Sequence, residues 1–198
     1  MPKPRFPTLE EFWRRLEARD VEDDLKQQLR ARMDRQQGAV SRVGDEETVI
    51  VVAARLLPGK VPAKALAVFL DEVFDEQLGR GDERVGLMPR QHLIPTGFRL
   101  LDDEARRGHG QGFAQLDEMS QDRLLERAEK GQLAGPAGFE SATWFKRMRG
   151  ILLLAFGSDP RGMVQMGFPG PSYKTGHIWL DEQEVRARAQ RKIGYLKL

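Results

Sequence analysis

The run Ile151-Leu152-Leu153-Leu154-Ala155-Phe156, followed by Gly157-Ser158-Asp159-Pro160, decides how the chain is read. This apolar run is far shorter than the roughly 20 residues a membrane span needs. It also lacks the apolar/polar alternation of a half-buried strand. It completes a helix from about residue 140, and because it is apolar on every side it is expected to be the most buried element of the molecule. Gly157 is placed to end that helix, and Ser158 or Asp159 to turn the chain by hydrogen-bonding nearby amides. Asp159 before Pro160 and Phe168 before Pro169 are both pushed toward extended backbone. Residues 157–173 therefore read as a stiff, irregular Gly/Pro-rich loop that presents Phe168, with Tyr173 and Trp179 close behind.

Moving outward from this stretch, every other periodic segment is helical. Thr8 and Glu11 form a capping box ahead of Leu9, Phe12, Trp13 and Leu16, which recur at three-to-four spacing. Asp20 is expected to cap a second helix with Val21, Leu25, Leu29 and Met33 on one face. Residues 36–44 hold Gly38 and Gly44 and no periodicity, and read as a linker. Residues 1–44 are thus expected to be a helical N-terminal appendage to a helical domain over 45–198.

Asp45, Glu46 and Glu47 supply an acidic first turn suited to the helix dipole. The β-branched run from Val49 to Val52 is read as helix, because a cap precedes it and Ala53, Ala54, Leu56 and Leu57 continue it before Pro58-Gly59. Pro62 suits a first helical turn, with Leu66, Phe69, Leu70, Val73 and Phe74 as the stripe behind it. Residues 79–86 read as a turn-rich loop. In a helix over 89–107, Pro95 marks a kink or the true start. The segment 108–112 reads as a flexible connector, Ser120 as the cap of a helix reaching Lys130, and Gly131 as its terminator. Asp181 is expected to cap a basic helix ending near Gly194. The expectation is an all-α, single helical domain of seven or eight helices.

Composition narrows the chemistry. The 198 residues, 40% hydrophobic and 31% charged, suffice for one core. A cysteine count of 0 removes disulfides, thiolate metal sites and cysteine nucleophiles. His92, His109 and His177 are too widely spaced for a multi-histidine metal centre. A net charge of +2 gives no polyanion-binding surface. The basic run Arg186, Arg188, Arg191, Lys192 and Lys197 suits a helix C-terminus and has only Tyr195 as a stacking aromatic, so nucleic-acid binding is the weaker alternative. Gly108, Gly110 and Gly112 follow a helix C-terminus, whereas phosphates prefer the N-terminal end. The adjacent pairs Asp23-Asp24 and Asp102-Asp103 point apart and form no acid/base pair. Asp159 with His177 is the one acid/imidazole combination in a loop region. With Ser158 or Ser172 as nucleophile it defines a small-hydrolase alternative. No catalytic, cofactor-binding or metal-binding residue is assigned, and no cofactor is expected on this chain. The N-terminal 1–7 stretch and the acidic sequence after Arg14-Arg15 are unlike an export leader. The chain is expected to be cytoplasmic as it reads, and periplasmic where a leader has been removed or an exported partner carries it.

Phe156-Gly157-Ser158-Asp159-Pro160 followed by Met166-Gly167-Phe168-Pro169-Gly170 resembles the C-terminal signature of the gluconate 2-dehydrogenase subunit 3 family. Arg55-Leu56-Leu57-Pro58 is similar to an early segment of that family, and Phe113-Ala114-Gln115-Leu116 with Asp122-Arg123-Leu124-Leu125 to its middle. The likeness covers roughly residues 46–180. The family's Tyr-Gly-Gly-Asn is replaced by Arg161-Gly162-Met163, and its twin-arginine leader by the helical segment before Gly44. The resemblance implies a non-catalytic small subunit of a heteromer. Its partner would be a large FAD-dependent dehydrogenase acting on gluconate, sugars or polyols, with electrons passing to a cytochrome or quinone-linked partner. Phe168, Pro169, Tyr173, Trp179, Asp159 and Pro160 are the candidate interface residues.

Overall fold

Trp144 and Gly97 set the spacing of the central helices. The computed structural model describes residues 8–17, 22–75 and 88–167, and these described residues form eight α-helices. These are α1 (Leu9–Glu17), α2 (Asp23–Asp34), α3 (Glu46–Leu56), α4 (Ala63–Asp75), α5 (Arg90–His109), α6 (Glu118–Glu129), α7 (Ser141–Ser158) and α8 (Pro160–Gln165). No strand occurs among the described residues, so the all-α reading holds. The loop expected over 79–86 and the helix expected from Asp181 lie outside the described residues.

The caps explain most boundaries. The Thr8 amide donates to Glu11 Oε2 at 2.9 Å and the Glu11 amide to Thr8 Oγ1 at 3.1 Å, the reciprocal pair of a capping box. Asp45 Oδ2 accepts from the Thr48 amide, so the β-branched run of α3 is helical as read. Helix α2 starts at Asp23 with Glu22 at its N-cap and no side-chain bond there, while Asp20 lies outside the described residues. Pro62 precedes α4, and its carbonyl accepts from the Ala65 and Leu66 amides. Helix α6 starts earlier than expected: Asp117, not Ser120, is the cap, accepting from both the Ser120 amide and its hydroxyl. Gly131, at φ +76°, ends α6 as expected.

Helix α7 packs against α4, α5, α6 and α8 and is the axis of the bundle. Trp144 is fully buried, crosses Phe98 edge-to-face at 5.4 Å, and donates its indole N–H to the Ile94 carbonyl at 3.2 Å. A Cβ on Gly97 would fall inside the indole ring, so α5 presents a one-residue notch that Trp144 fills. Pro95 sits inside the continuous α5. The N–H it lacks would have bonded the carbonyl of Gln91, an exposed residue at which water is available. One expectation fails: the 151–156 run is not buried all round. Ile151, Leu152, Ala155 and Phe156 are buried, but Leu153 is 49% and Leu154 55% exposed. The helix has neighbours on about three sides only, so residues three and four apart separate into an inner and an outer face.

The 36–44 stretch is not a free linker. Arg35–Gln37 forms a 3-10 turn, Val40 and Val43 are buried, and Asp71 Oδ1 accepts from the amides of Ser41, Arg42 and Val43 at 3.1, 2.7 and 3.0 Å. Asp71 itself is 5% exposed. Its carboxylate replaces the secondary-structure partners that these loop amides lack.

Two predictions follow from this packing. Gly97→Ala should destabilise by about 2–3 kcal/mol through overpacking. Because both changes act on one contact, Gly97→Ala with Trp144→Phe should cost less than the sum of the two singles in a urea-denaturation cycle. Asp71→Ala should cost on the order of 3 kcal/mol by stranding three amides, and Asp71→Asn, which keeps an acceptor, clearly less.

Candidate functional site

The turn expected at Gly157–Pro160 is built as an elbow between two helices. Asp159 adopts φ −84°, ψ 133°, the extended backbone expected before proline. Its amide donates to the Ala155 and Phe156 carbonyls at 3.2 and 3.3 Å, closing α7. Its carboxylate accepts from the Arg161 amide at 2.8 Å, opening α8, with Pro160 in the first turn where no amide is needed. The expected irregular loop is therefore a helix from residue 160 to 165. Helix α8 lies so close to α7 that a side chain on Gly162 would overlap the Phe156 carbonyl. That contact gives Pro160-Arg161-Gly162 its physical meaning: a cap follower, a tether and a clearance.

Arg161 is the tether. Its Nε and Nη2 bind Asp159 Oδ1 and Oδ2 at 2.9 and 2.7 Å, and Nη2 also reaches the Met33 carbonyl at 3.1 Å. Arg32 Nη1 answers from α2 by donating to the Ser158 carbonyl at 3.2 Å. A cation at the carbonyl end of α2 is also favoured by the helix dipole. On the other side, Gln165 Oε1 accepts from the Lys60 amide at 2.7 Å and so holds the turn that follows α3. Phe12, Leu16 and Leu29 of the N-terminal helices pack with Met163 and Val164 in a second apolar cluster beneath the elbow. Gly167, at φ +70°, ends α8 and sets the direction in which the chain leaves.

Of the interface candidates, Asp159 and Pro160 are buried within the elbow, and Asp159 is hydrogen-bonded there. Phe168, Pro169, Tyr173 and Trp179 lie outside the described residues. His177 of the hydrolase alternative also lies there. Ser158 Oγ donates back to the Ala155 carbonyl at 3.0 Å, and the Asp159 carboxylate is taken up by a guanidinium and an amide. His109 is exposed at the end of α5, and the connector after it is held tightly rather than loosely: the Phe113 amide donates to Asp102 Oδ1 at 2.8 Å, and Phe113 is fully buried. Among the described residues no three histidine, aspartate or glutamate side chains converge as metal ligands.

A second constellation joins two segments that the family likeness had marked separately, and only the fold brings them together. Arg55 donates from Nε and Nη2 to Asp122 Oδ1 and Oδ2 at 2.9 and 2.5 Å, and its Nη1 lies 2.8 Å from Glu118 Oε2. This fork joins α3 to α6 in the bidentate geometry that guanidinium and carboxylate share. The hydrogen bonds from Arg55 hold the Asp122 carboxyl below its ordinary range, and those from Asp122 and then Glu118 raise the Arg55 guanidinium further. Arg55, Asp122 and Glu118 line an open depression with Asp117, Met119, Arg123 and Glu126. Its carboxylates are engaged inside the chain: Asp117 caps α6 and Glu126 pairs with Lys130 at 2.7 Å. The depression is an ion-paired surface.

Arg55-Leu56-Leu57-Pro58 and Asp122-Arg123-Leu124-Leu125, the two segments that share this fork, fall within one match. The model of the gluconate 2-dehydrogenase subunit 3 family matches residues 44–170, well over half of the chain. The chain belongs to that family. No curated protein and no solved structure matches it. The subunit 3 region contains the Gly97–Trp144 notch, the Arg55–Asp122 fork and the whole α7–α8 elbow, and it starts after α1 and α2.

The lowered Asp122 carboxyl gives a pH signature. A carboxyl whose folded value is depressed stabilises above its unfolded value, about 3.9, and loses that contribution as pH falls through the folded value. The gap in thermal midpoint between the wild type and Asp122→Asn should be present at pH 7 and close below about pH 4.

Proposed function

We propose that the chain is the non-catalytic small subunit of a heteromeric dehydrogenase. It binds and stabilises a large FAD-dependent subunit that acts on gluconate, other sugars or polyols, and assists its maturation. Flavin chemistry and the onward passage of electrons to a cytochrome or quinone-linked partner belong, in this reading, to the other subunits. The observation that carries it is membership of a family described as a dehydrogenase subunit, over a segment that takes in the core, the fork and the elbow.

The described geometry supports the reading in a second way. Arg161 ties the elbow to the Met33 carbonyl of α2 and Gln165 ties it to the Lys60 amide, and Phe168 and Pro169 follow Gly167 directly in the sequence. A segment that starts from a rigid anchor has less freedom to lose on association than a free one, which favours affinity. We assign Phe168, Pro169, Tyr173 and Trp179 to the centre of the interface, since aromatic side chains supply most of the energy of such contacts, and Asp159 and Pro160 to positioning them. A stable heteromer of this kind buries roughly 2,000 Å² or more.

Co-expression with the large flavoprotein subunit tests this directly. A tagged chain should retain a flavin-containing partner through gel filtration. Replacing Phe168, Tyr173 and Trp179 together by Ala should weaken retention by at least about tenfold while leaving the chain's own unfolding midpoint unchanged. A chain that elutes alone, or an isolated chain that turns over a sugar substrate, would overturn the assignment.

A further inference from the structure

The buried apolar side chains of the described residues fall into two separate clusters. The larger fills the bundle. The smaller joins Phe12, Leu16 and Leu29 of the N-terminal helices to Met163 and Val164 of α8, with Leu9, Trp13 and Leu25 at its edge. Phe12 and Leu16 are fully buried, and the main neighbour of α1 is α8. Helix α2 is held differently. It packs on α8, on the 3-10 turn and on α4, and the bonds from Arg161 to the Met33 carbonyl and from Arg32 to the Ser158 carbonyl clamp its end.

The anchorage of α1 is weaker. Arg30 of α2 reaches it at the surface, with Nη2 3.4 Å from Glu17 Oε1 and the guanidinium 5.5 Å from the Trp13 ring centroid. The two side chains of that ion pair are 61% and 59% exposed, and a pair so open to water contributes little. Seating on α8 is therefore chiefly an apolar matter. At nine residues α1 is shorter than the roughly 12–15 at which an isolated helix becomes even marginal in water. It is helical because it is seated, and leaving α8 would unfold it. Segments with few buried contacts and little stability of their own are those that open while the rest of a protein stays folded. The family match adds their order in the chain: it contains α8 and begins after α1 and α2. The Met163–Val164 face thus belongs to the shared body, and residues that precede that body cover it.

We propose that α1 is a releasable cover. It folds onto the Met163–Val164 face of α8 and opens from it as a unit, while the bundle stays folded. Opening uncovers an apolar face of the elbow that the closed chain keeps from water. The bearing of that face on partner binding rests on the small-subunit reading; the opening itself does not.

The chain contains no cysteine, so a single Val164→Cys reports its own uncovering in the full chain with no partner present. Thiol labelling of Val164→Cys should be at least about tenfold faster than that of Val52→Cys, which sits in the bundle core. Low urea should speed the labelling of Val52→Cys steeply and that of Val164→Cys hardly at all, because the slope follows the surface that the opening exposes. Equal rates, or equal urea slopes, would overturn the proposal. Amide exchange reads the same opening without a substitution in the cluster. Gly97→Ala, which loosens the bundle, should speed exchange of the α7 amides by at least about tenfold and leave the hydrogen-bonded amides of α1 unchanged. On the unsubstituted chain, low urea should separate the two helices in the same way. Amides of α1 that speed up in step with those of α7 would also overturn it. Retention of the flavoprotein subunit, measured on the same proteins, reports separately on the small-subunit reading.

Discussion

The contact between Trp144 and the missing side chain of Gly97 is the constraint from which the rest of the bundle is arranged. It lets α5 and α7 approach to the thickness of one indole, and the hydrogen bond to the Ile94 carbonyl fixes the ring's rotation as well as its depth. Protein interiors are packed like organic crystals, so a position fixed this tightly at one crossing limits where the neighbouring helices can settle. Helices α4 and α6 pack on the same axis. The Arg55 fork then joins α3 to α6 at the surface, where an ion pair adds modest energy but definite geometry.

The elbow at Asp159 solves a different problem. One carboxylate caps α8 and orients a guanidinium that reaches the end of α2, while the residue's own amide closes α7. The arrangement joins the part of the chain shared with the subunit 3 family to the two helices that precede it. Burying an aspartate is unfavourable unless it is paired and hydrogen-bonded, and here both conditions are met by the next residue but one.

Helix type was legible where local signals agreed. Thr8 with Glu11, Asp45 with its acidic first turn, and Gly131 all act as their residue types suggest. The misreadings came from tertiary contacts that leave no local trace. Residues 36–44 look like a linker because their amides are satisfied by Asp71, about thirty residues away. A signal for this existed: Asp71 stands one turn after the buried Ala67 and Val68, and an acid on an apolar face needs a partner. The connector at 108–112 looks flexible because its anchor, Asp102, belongs to the preceding helix. Asp117 and Ser120 both suit the cap, and the longer side chain of Asp117 takes both the Ser120 amide and its hydroxyl. The four-residue run of the 151–154 segment gave no sign of its outer face, because which side of a helix is covered depends on neighbours that sequence periodicity does not reveal. At the candidate site the turn at Asp159 was legible through Pro160. Arg161 stands in the sequence only as a departure from the family pattern, because its role depends on the Met33 carbonyl, which is remote in sequence.

That remoteness matters when the chain is made. The bonds from Arg161 to Met33 and from Arg32 to Ser158 join residues 128 and 126 positions apart. During synthesis at about 5–20 residues per second, Phe12, Leu16 and Leu29 wait on the order of ten seconds for Met163 and Val164 to leave the ribosome. Long-range closures of this kind are slow and leave apolar surface open in the meantime. The nascent chain therefore passes through a stage in which its first two helices are accessible to chaperones and to mispairing, and the elbow is the last piece needed to end it.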